Sequence, residues 1–248
     1  MRLSDKKVIV TGGASGFGAG IVKKFMAEGA QVVIADLNLE AAQNYAKELG
    51  DGAYAVHADV SDGPSVEDMV NAALKRLGGI DILVNNAGVG QLPKPLEEVD
   101  EAEFDRMFSV NAKSVYLTAR YIVPIMKKNG AGAILNIAST AGVSPRPGLA
   151  WYNASKGWMI TATRSMAIEL ANKQIRVNAL NPVAGDTPML QTFMGDDTPE
   201  TRAKFLASIP IGRFSTPEDL GNAACFLCSD EASMITGVTM EVDGGRCI

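Results

Sequence analysis

A chain of 248 residues, 47% hydrophobic and 21% charged, is long enough to bury a sizeable core and sits at the upper end of one domain. A net charge of −5, with its basic pairs short and scattered, argues against a nucleic-acid face, which needs clustered Lys and Arg. No apolar run approaches the ~18 residues of a membrane span, and three cysteines give no disulfide framework, so a reducing, cytoplasmic setting is expected.

The N-terminus is charged, then apolar for only a few residues, and reads as a first strand, KVIVT (7–11), and not a secretory segment. From there β-branched runs alternate with helical patterns. Strands are predicted at 31–36, 53–60, 80–88, 132–139, 175–182 and 237–243, and helices near 17–28, 38–49, 64–77, 101–128, 152–172 and 217–228. Such alternation implies right-handed crossovers and an α/β fold, a parallel sheet with helices on both faces. No linker or repeat interrupts residues 1–248, so a single doubly wound domain is expected. One stretch, 183–216, departs from the alternation. Thr198-Pro199-Glu200 and Thr216-Pro217-Glu218 each offer a capping hydroxyl, Pro at the first helical position and an acid in the first turn. The insertion is therefore expected to carry one small helix and, lying at a strand's carboxyl end, to act as a substrate lid.

The first strand runs into Thr11-Gly12-Gly13-Ala14-Ser15-Gly16-Phe17-Gly18, where a helix begins. Small residues let the backbone approach a pyrophosphate, and the helix start supplies N–H groups. Asp36 ends the second strand, 20 residues after Gly16, the distance expected of a carboxylate that binds the adenosine ribose. It would repel a 2′-phosphate, and no cation stands at Ser15, Leu37 or Asn38, so NAD is expected over NADP.

In order along the chain come TGGASGFG (11–18), Asp59-Val60, NNAG (85–88), Asn111, Ser139, YNASK (152–156) and VDGG (242–245). Over essentially its full length the sequence closely resembles the short-chain dehydrogenase/reductase family. That resemblance implies a Rossmann-type fold with seven parallel strands, a dimer or homotetramer, and an Asn111–Ser139–Tyr152–Lys156 catalytic set. Tyr152 and Lys156, four apart at a helix start, share one face. A phenol of pKa about 10 is a poor base near neutrality, and a neighbouring ammonium would bring it down. Ser139, ending a strand, would offer its hydroxyl to the substrate oxygen. Asn111, on the resemblance, would hold a water that refills the proton. The resemblance also places Asp59 and Val60 at the adenine and Asn86, Ala87 and Gly88 along the adenosine. Pro182, Val183, Gly185 and Thr187 would stand at the nicotinamide. Val183 replaces the usual Gly, so either the turn there keeps a negative φ or the loop path shifts.

Cys225 and Cys228 share a CxxC spacing but sit in an apolar helical stretch and read as core residues. One histidine, His57, and no acidic cluster make a metal site unexpected. Trp158 and Met166 suit core or subunit packing. Substrate-pocket candidates are Gln91, Leu92, Pro93, Ala141, Val143, Arg146, Leu149, Trp151, Val183 and Leu190. The expected activity is NAD(H)-dependent hydride transfer that interconverts a secondary alcohol (polyol, sugar or hydroxy compound) and its ketone, with Tyr152 as acid and base. The alternatives are an NADPH-dependent 3-oxoacyl-type reductase and a nucleotide-binding regulator without turnover.

Overall fold

The computed structural model describes residues 1–195 and 197–248. Seven strands, β1 (Lys7–Thr11), β2 (Gln31–Asp36), β3 (Ala53–His57), β4 (Ile82–Asn85), β5 (Gly132–Ile137), β6 (Ile175–Pro182) and β7 (Thr239–Val242), form one sheet in the order β3-β2-β1-β4-β5-β6-β7. Every pairing is parallel. The central strands are apolar residue after residue because both faces are covered. Val8, Val10, Val32, Ile34, Ile82 and Val84 point into one core, shared with α1 (Gly16–Ala27) and α9 (Pro217–Cys228). Their neighbours Ile9, Val33 and Leu83 point into the other, beneath α3 (Gly63–Leu77), α5 (Ser114–Asn129) and α6 (Ala150–Leu170). The period of two thus distributes each strand between two layers. Each fully buried Val, Leu or Ile contributes about 1.5–3 kcal/mol.

Four strands end earlier than the sequence suggests. Residues 58–60, 86–88, 138–139 and 243 continue the strand-like composition but leave the ladder. The first three stretches lie at the carboxyl edge, where the chain turns to line a cleft. The predicted helix 101–128 is two helices, α4 (Glu101–Phe108) and α5, joined by a π-helical turn at Ser109–Lys113. Such turns gather at functional sites. α2 (Leu39–Leu49) packs against β3 and β2 and is capped by Asn38, which accepts from Ala41 N at 3.0 Å.

The 183–216 stretch carries two helices where one was expected, α7 (Met189–Met194) and α8 (Pro199–Ala207). Thr198 caps α8, accepting from Thr201 N at 3.2 Å. Thr216 caps α9, as the second motif implies, and Asp219 returns the bond to the Thr216 N–H. Among the described residues no helix is long and apolar enough to cross a membrane.

Candidate active site

At the carboxyl edge of the sheet, where the strand order reverses between β1 and β4, a cleft of about 940 Å³ opens. One wall is the glycine loop. Gly12, at φ 61°, passes so close to the β4 loop that a Cβ there would lie 2.9 Å from Ala87 Cα. Asn86 fixes this approach, its Nδ2 donating to the Thr11 and Gly12 carbonyls at 2.9 Å each. Thr11 Oγ1 accepts from the Asn86 and Ala87 N–H groups, each at 3.1 Å. A Cβ on Gly18 would meet Gly12 O at 2.1 Å, so the first turn of α1 fits against the loop only with glycine at this position. Asp36 is half-buried at the loop's side. Its carboxylate accepts from Ala14 N at 3.1 Å and from Asn38 N at 3.0 Å, which fixes both oxygens in place. Asp59 accepts from Ser61 N and Oγ at 2.9 and 2.6 Å, and these bonds hold its carboxyl below the usual range.

Tyr152 and Lys156 are both buried on the opposite wall, on the first turns of α6. The helix start has no side-chain cap of its own. Gln91, a pocket candidate, instead turns its Oε1 to the Tyr152 N–H at 3.1 Å and its Nε2 toward Gly148 O at 3.4 Å. It thus satisfies an orphan donor of α6 and clamps the turn that carries the phenol. Ser139 accepts from Ala141 N at 3.0 Å, which leaves its own hydroxyl proton to donate elsewhere. Burial pushes the Tyr152 phenol up to about 12, opposed by hydrogen bonding to Ser139 and by the charge of Arg146. Lys156 does not depress it as the spacing led one to expect. Its Nζ lies 6.0 Å from the Tyr152 ring centroid and donates to Ile137 O at 2.9 Å, and burial pushes the ammonium down to about 8.

Asn111 is fully buried in the π turn, behind the cleft lining. Its Oδ1 accepts from Val89 N at 2.9 Å, and its Nδ2 donates to Val89 O and Ser155 Oγ at 3.0 and 3.2 Å. That amide is committed to protein partners. A Cβ on Gly88 would sit 3.3 Å from Asn111 Oδ1 and 3.5 Å from Lys156 Nζ, so the three converge on one point.

Chain similarity fits this geometry. A protein-family model described as "Enoyl-(Acyl carrier protein) reductase" matches residues 12–246. The 4-formylbenzenesulfonate dehydrogenase of Comamonas testosteroni is 49% identical, with 100% of each chain covered. The 7alpha-hydroxysteroid dehydrogenase of Escherichia coli (strain K12) is 38% identical over 99% of this chain and 95% of its own. A crystal structure of 3-ketoacyl-(acyl-carrier-protein) reductase from Brucella melitensis complexed with NADH superposes with a TM-score of 0.95, at 52% identity, covering 99% of this chain and 100% of that one. The chain belongs to the short-chain dehydrogenase/reductase family. It is an oxidoreductase of the class that acts on CH–OH groups, and its family binds a nicotinamide cofactor.

The cleft fits such a dinucleotide. Gly12, Gly18 and Gly88 form a cradle that any Cβ would fill or force apart, and the start of α1 faces it. The loop residues Ser15, Gly16 and Phe17 line it with Asp36, Leu37, Asp59 and Val60. Further along stand Asn86, Ala87, Gly88, Pro182, Val183, Gly185 and Thr187. Val183 keeps a negative φ, the first of the two paths open to it, and its N–H donates to Val242 O at 3.3 Å. Of the pocket candidates, Leu92, Ala141, Arg146, Leu149, Val183 and Leu190 line the cleft, whereas Gln91, Pro93, Val143 and Trp151 do not. Trp151 is held outside it, donating to Leu96 O at 3.1 Å. The sequence pattern gives no sign of Phe193 and Phe205, which the lid helices bring to the cleft. Cys225 and Cys228 lie buried in α9, and burial raises both thiols.

Proposed function

We propose that this enzyme uses NAD(H) to interconvert a secondary alcohol and its ketone, with Tyr152 as the proton donor and acceptor. The observation that carries the reading is the buried Tyr152–Ser139 pair facing the cleft across from the glycine loop. When bound, the nicotinamide supplies or accepts the hydride. Ser139 donates to the substrate oxygen as negative charge builds there. Tyr152, pushed up to about 12, keeps its proton at neutral pH and so suits donation to a nascent alkoxide. Lys156 and Asn111 stand behind it as positioning groups.

Asp36 supports NAD over NADP, because its fixed carboxylate would accept from a ribose diol and repel a 2′-phosphate. Leu37 beside it is exposed and uncharged. The stretch 183–216 is read as the substrate lid. A homotetramer in a reducing, cytoplasmic compartment suits the free thiols and the apolar Tyr116, Trp158 and Ile168 exposed on α5 and α6. A second reading, reduction of a 3-oxoacyl thioester, is favoured by the likeness to the 3-ketoacyl-(acyl-carrier-protein) reductase of Brucella melitensis.

The test is a panel of polyols, hydroxy acids, secondary alcohols and acetoacetyl thioester with NAD(H) and NADP(H), followed at the nicotinamide absorbance. NAD(H) should give the higher kcat/KM. Tyr152→Phe should lower turnover by about 10²–10⁴-fold while NADH still binds by fluorescence titration. A variant that keeps more than a tenth of the activity would overturn the assignment of Tyr152.

A further inference from the structure

Arg146 lines the cleft and Arg246 stands in the turn after β7, and among the described residues neither pairs with a carboxylate. Arg146, in the loop between β5 and α6, lines the cleft beside Leu149, Tyr152 and Phe205. Its Cζ lies 5.1 Å from the Phe205 ring centroid. Contact with the α8 ring steadies the guanidinium and leaves its N–H edges to donate. The loop is held to α6, Asn153 Nδ2 donating to Arg146 O at 2.8 Å.

Arg246 approaches from the turn after β7. Asp243 shapes that turn by accepting from Gly245 N at 2.9 Å and Cys247 N at 2.8 Å, and the end of the lid is tied to it by Ile211 N donating to Gly244 O at 3.1 Å. Arg246 Nε is buried and has no hydrogen-bond partner among the described residues. Arg2, Arg202 and Arg213 each hold a carboxylate; among the described residues no other arginine does, and of the two that line the cleft Arg106 is exposed on α4 whereas Arg146 is half-buried. Burial and the charge of Arg246 both push the Arg146 pKa down, and the charge of Arg146 in turn reaches the Tyr152 phenol. Two like charges drawn into one partly dry region, with a buried donor left over, cost stability unless an anion joins them.

We infer that Arg146, backed by Arg246, binds an oxyanion carried by the substrate, a carboxylate or a sulfonate set apart from the carbon that reacts. The inference rests on the alcohol/ketone reading of this cleft and narrows its substrate class. Apolar side chains line the cleft with Arg146 and Tyr152. Leu149, Leu190, Phe193 and Phe205 are among them, and the Phe193 ring centroid is 5.0 Å from that of Tyr152. A ring or short hydrocarbon would pack against these side chains, with one end at Tyr152 and the charged end at Arg146.

The test is calorimetric titration of the NADH-loaded enzyme with benzoate and benzenesulfonate, against neutral benzamide, and the two anion arms show which oxyanion is preferred. Kinetics with 4-(1-hydroxyethyl)benzoate and its methyl ester run alongside. Wild type should favour an anion over its neutral counterpart by at least about tenfold, the scale of one charge-assisted hydrogen bond. Arg146→Gln should erase most of that ratio, chiefly through KM, and Arg246→Gln should lower it. Equal binding of benzoate, benzenesulfonate and benzamide by wild type would overturn the inference. So would a preference that survives in Arg146→Gln, or in Arg246→Gln should the first variant fail to fold. Anion binding without turnover of any alcohol would instead count against the alcohol/ketone reading and leave the anion site standing.

Discussion

Lys156 is surrounded by protein, and that burial alone pushes its ammonium down to about 8 from 10.5. Below pH 8 the side chain is charged in both folded and unfolded chains, and the folded state bears the cost of a desolvated cation, about 3 kcal/mol. Between the two values the unfolded chain binds the extra proton, so stability rises with pH. Relative to Lys156→Met, wild type should therefore gain stability between pH 7 and 10, as read from urea midpoints of both proteins. A stability difference that stays flat over that range would contradict the burial argument. That Tyr152, Lys156 and Ser139 meet at one cleft was legible because the signals are local: a helix spacing and a strand end. Gln91 and Arg246 were not, because the groups they serve lie far from them in the chain.

The helix crossing of α1 and α9 depends on a residue that the nucleotide motif does not include. A Cβ on Gly20 would lie 2.2 Å from Pro217 O, and one on Gly221 would lie 2.8 Å from Gly20 O. The two backbones touch, and α9 could not settle against α1 with any larger side chain there. Gly20→Ala should cost at least about 1–3 kcal/mol, as overpacking does. It should also weaken NADH binding, since α1 carries the glycine loop at its start. Thermal melts and fluorescence titration read the two effects. Gly79→Ala, whose Cβ would meet only the Lys7 side chain at 3.4 Å, is the comparison that should change little. Elements with capping residues were read correctly from the chain, as Thr216-Pro217-Glu218 was. α7 has no side-chain cap and six residues, and the π turn at 109–113 interrupts an otherwise helical pattern, so neither left a signal.

Across the molecule, the alternation of strand and helix patterns was enough to specify a parallel sheet, and the sheet in turn places every loop that lines the cleft on one edge. Composition could not show how many apolar side chains stay outside. Tyr116 is 52% exposed, Trp158 41% and Ile168 84%, all on α5 and α6. Light scattering at micromolar concentration should give a multiple of the chain mass, and Trp158→Glu with Ile168→Glu should lower it. A wild-type monomer would remove the role proposed for that surface. The sheet order has one more consequence, and it concerns time. β1 pairs with β2 over a separation of 24 residues, as in Lys7↔Gln31, but with β4 over 74, as in Val8↔Ile82. Closing the longer loop adds only about 1 kcal/mol of chain entropy. Contacts so distant in sequence are nevertheless the ones that slow folding. The seam that opens the nucleotide cleft therefore closes late: it is cheap to hold once made and slow to make.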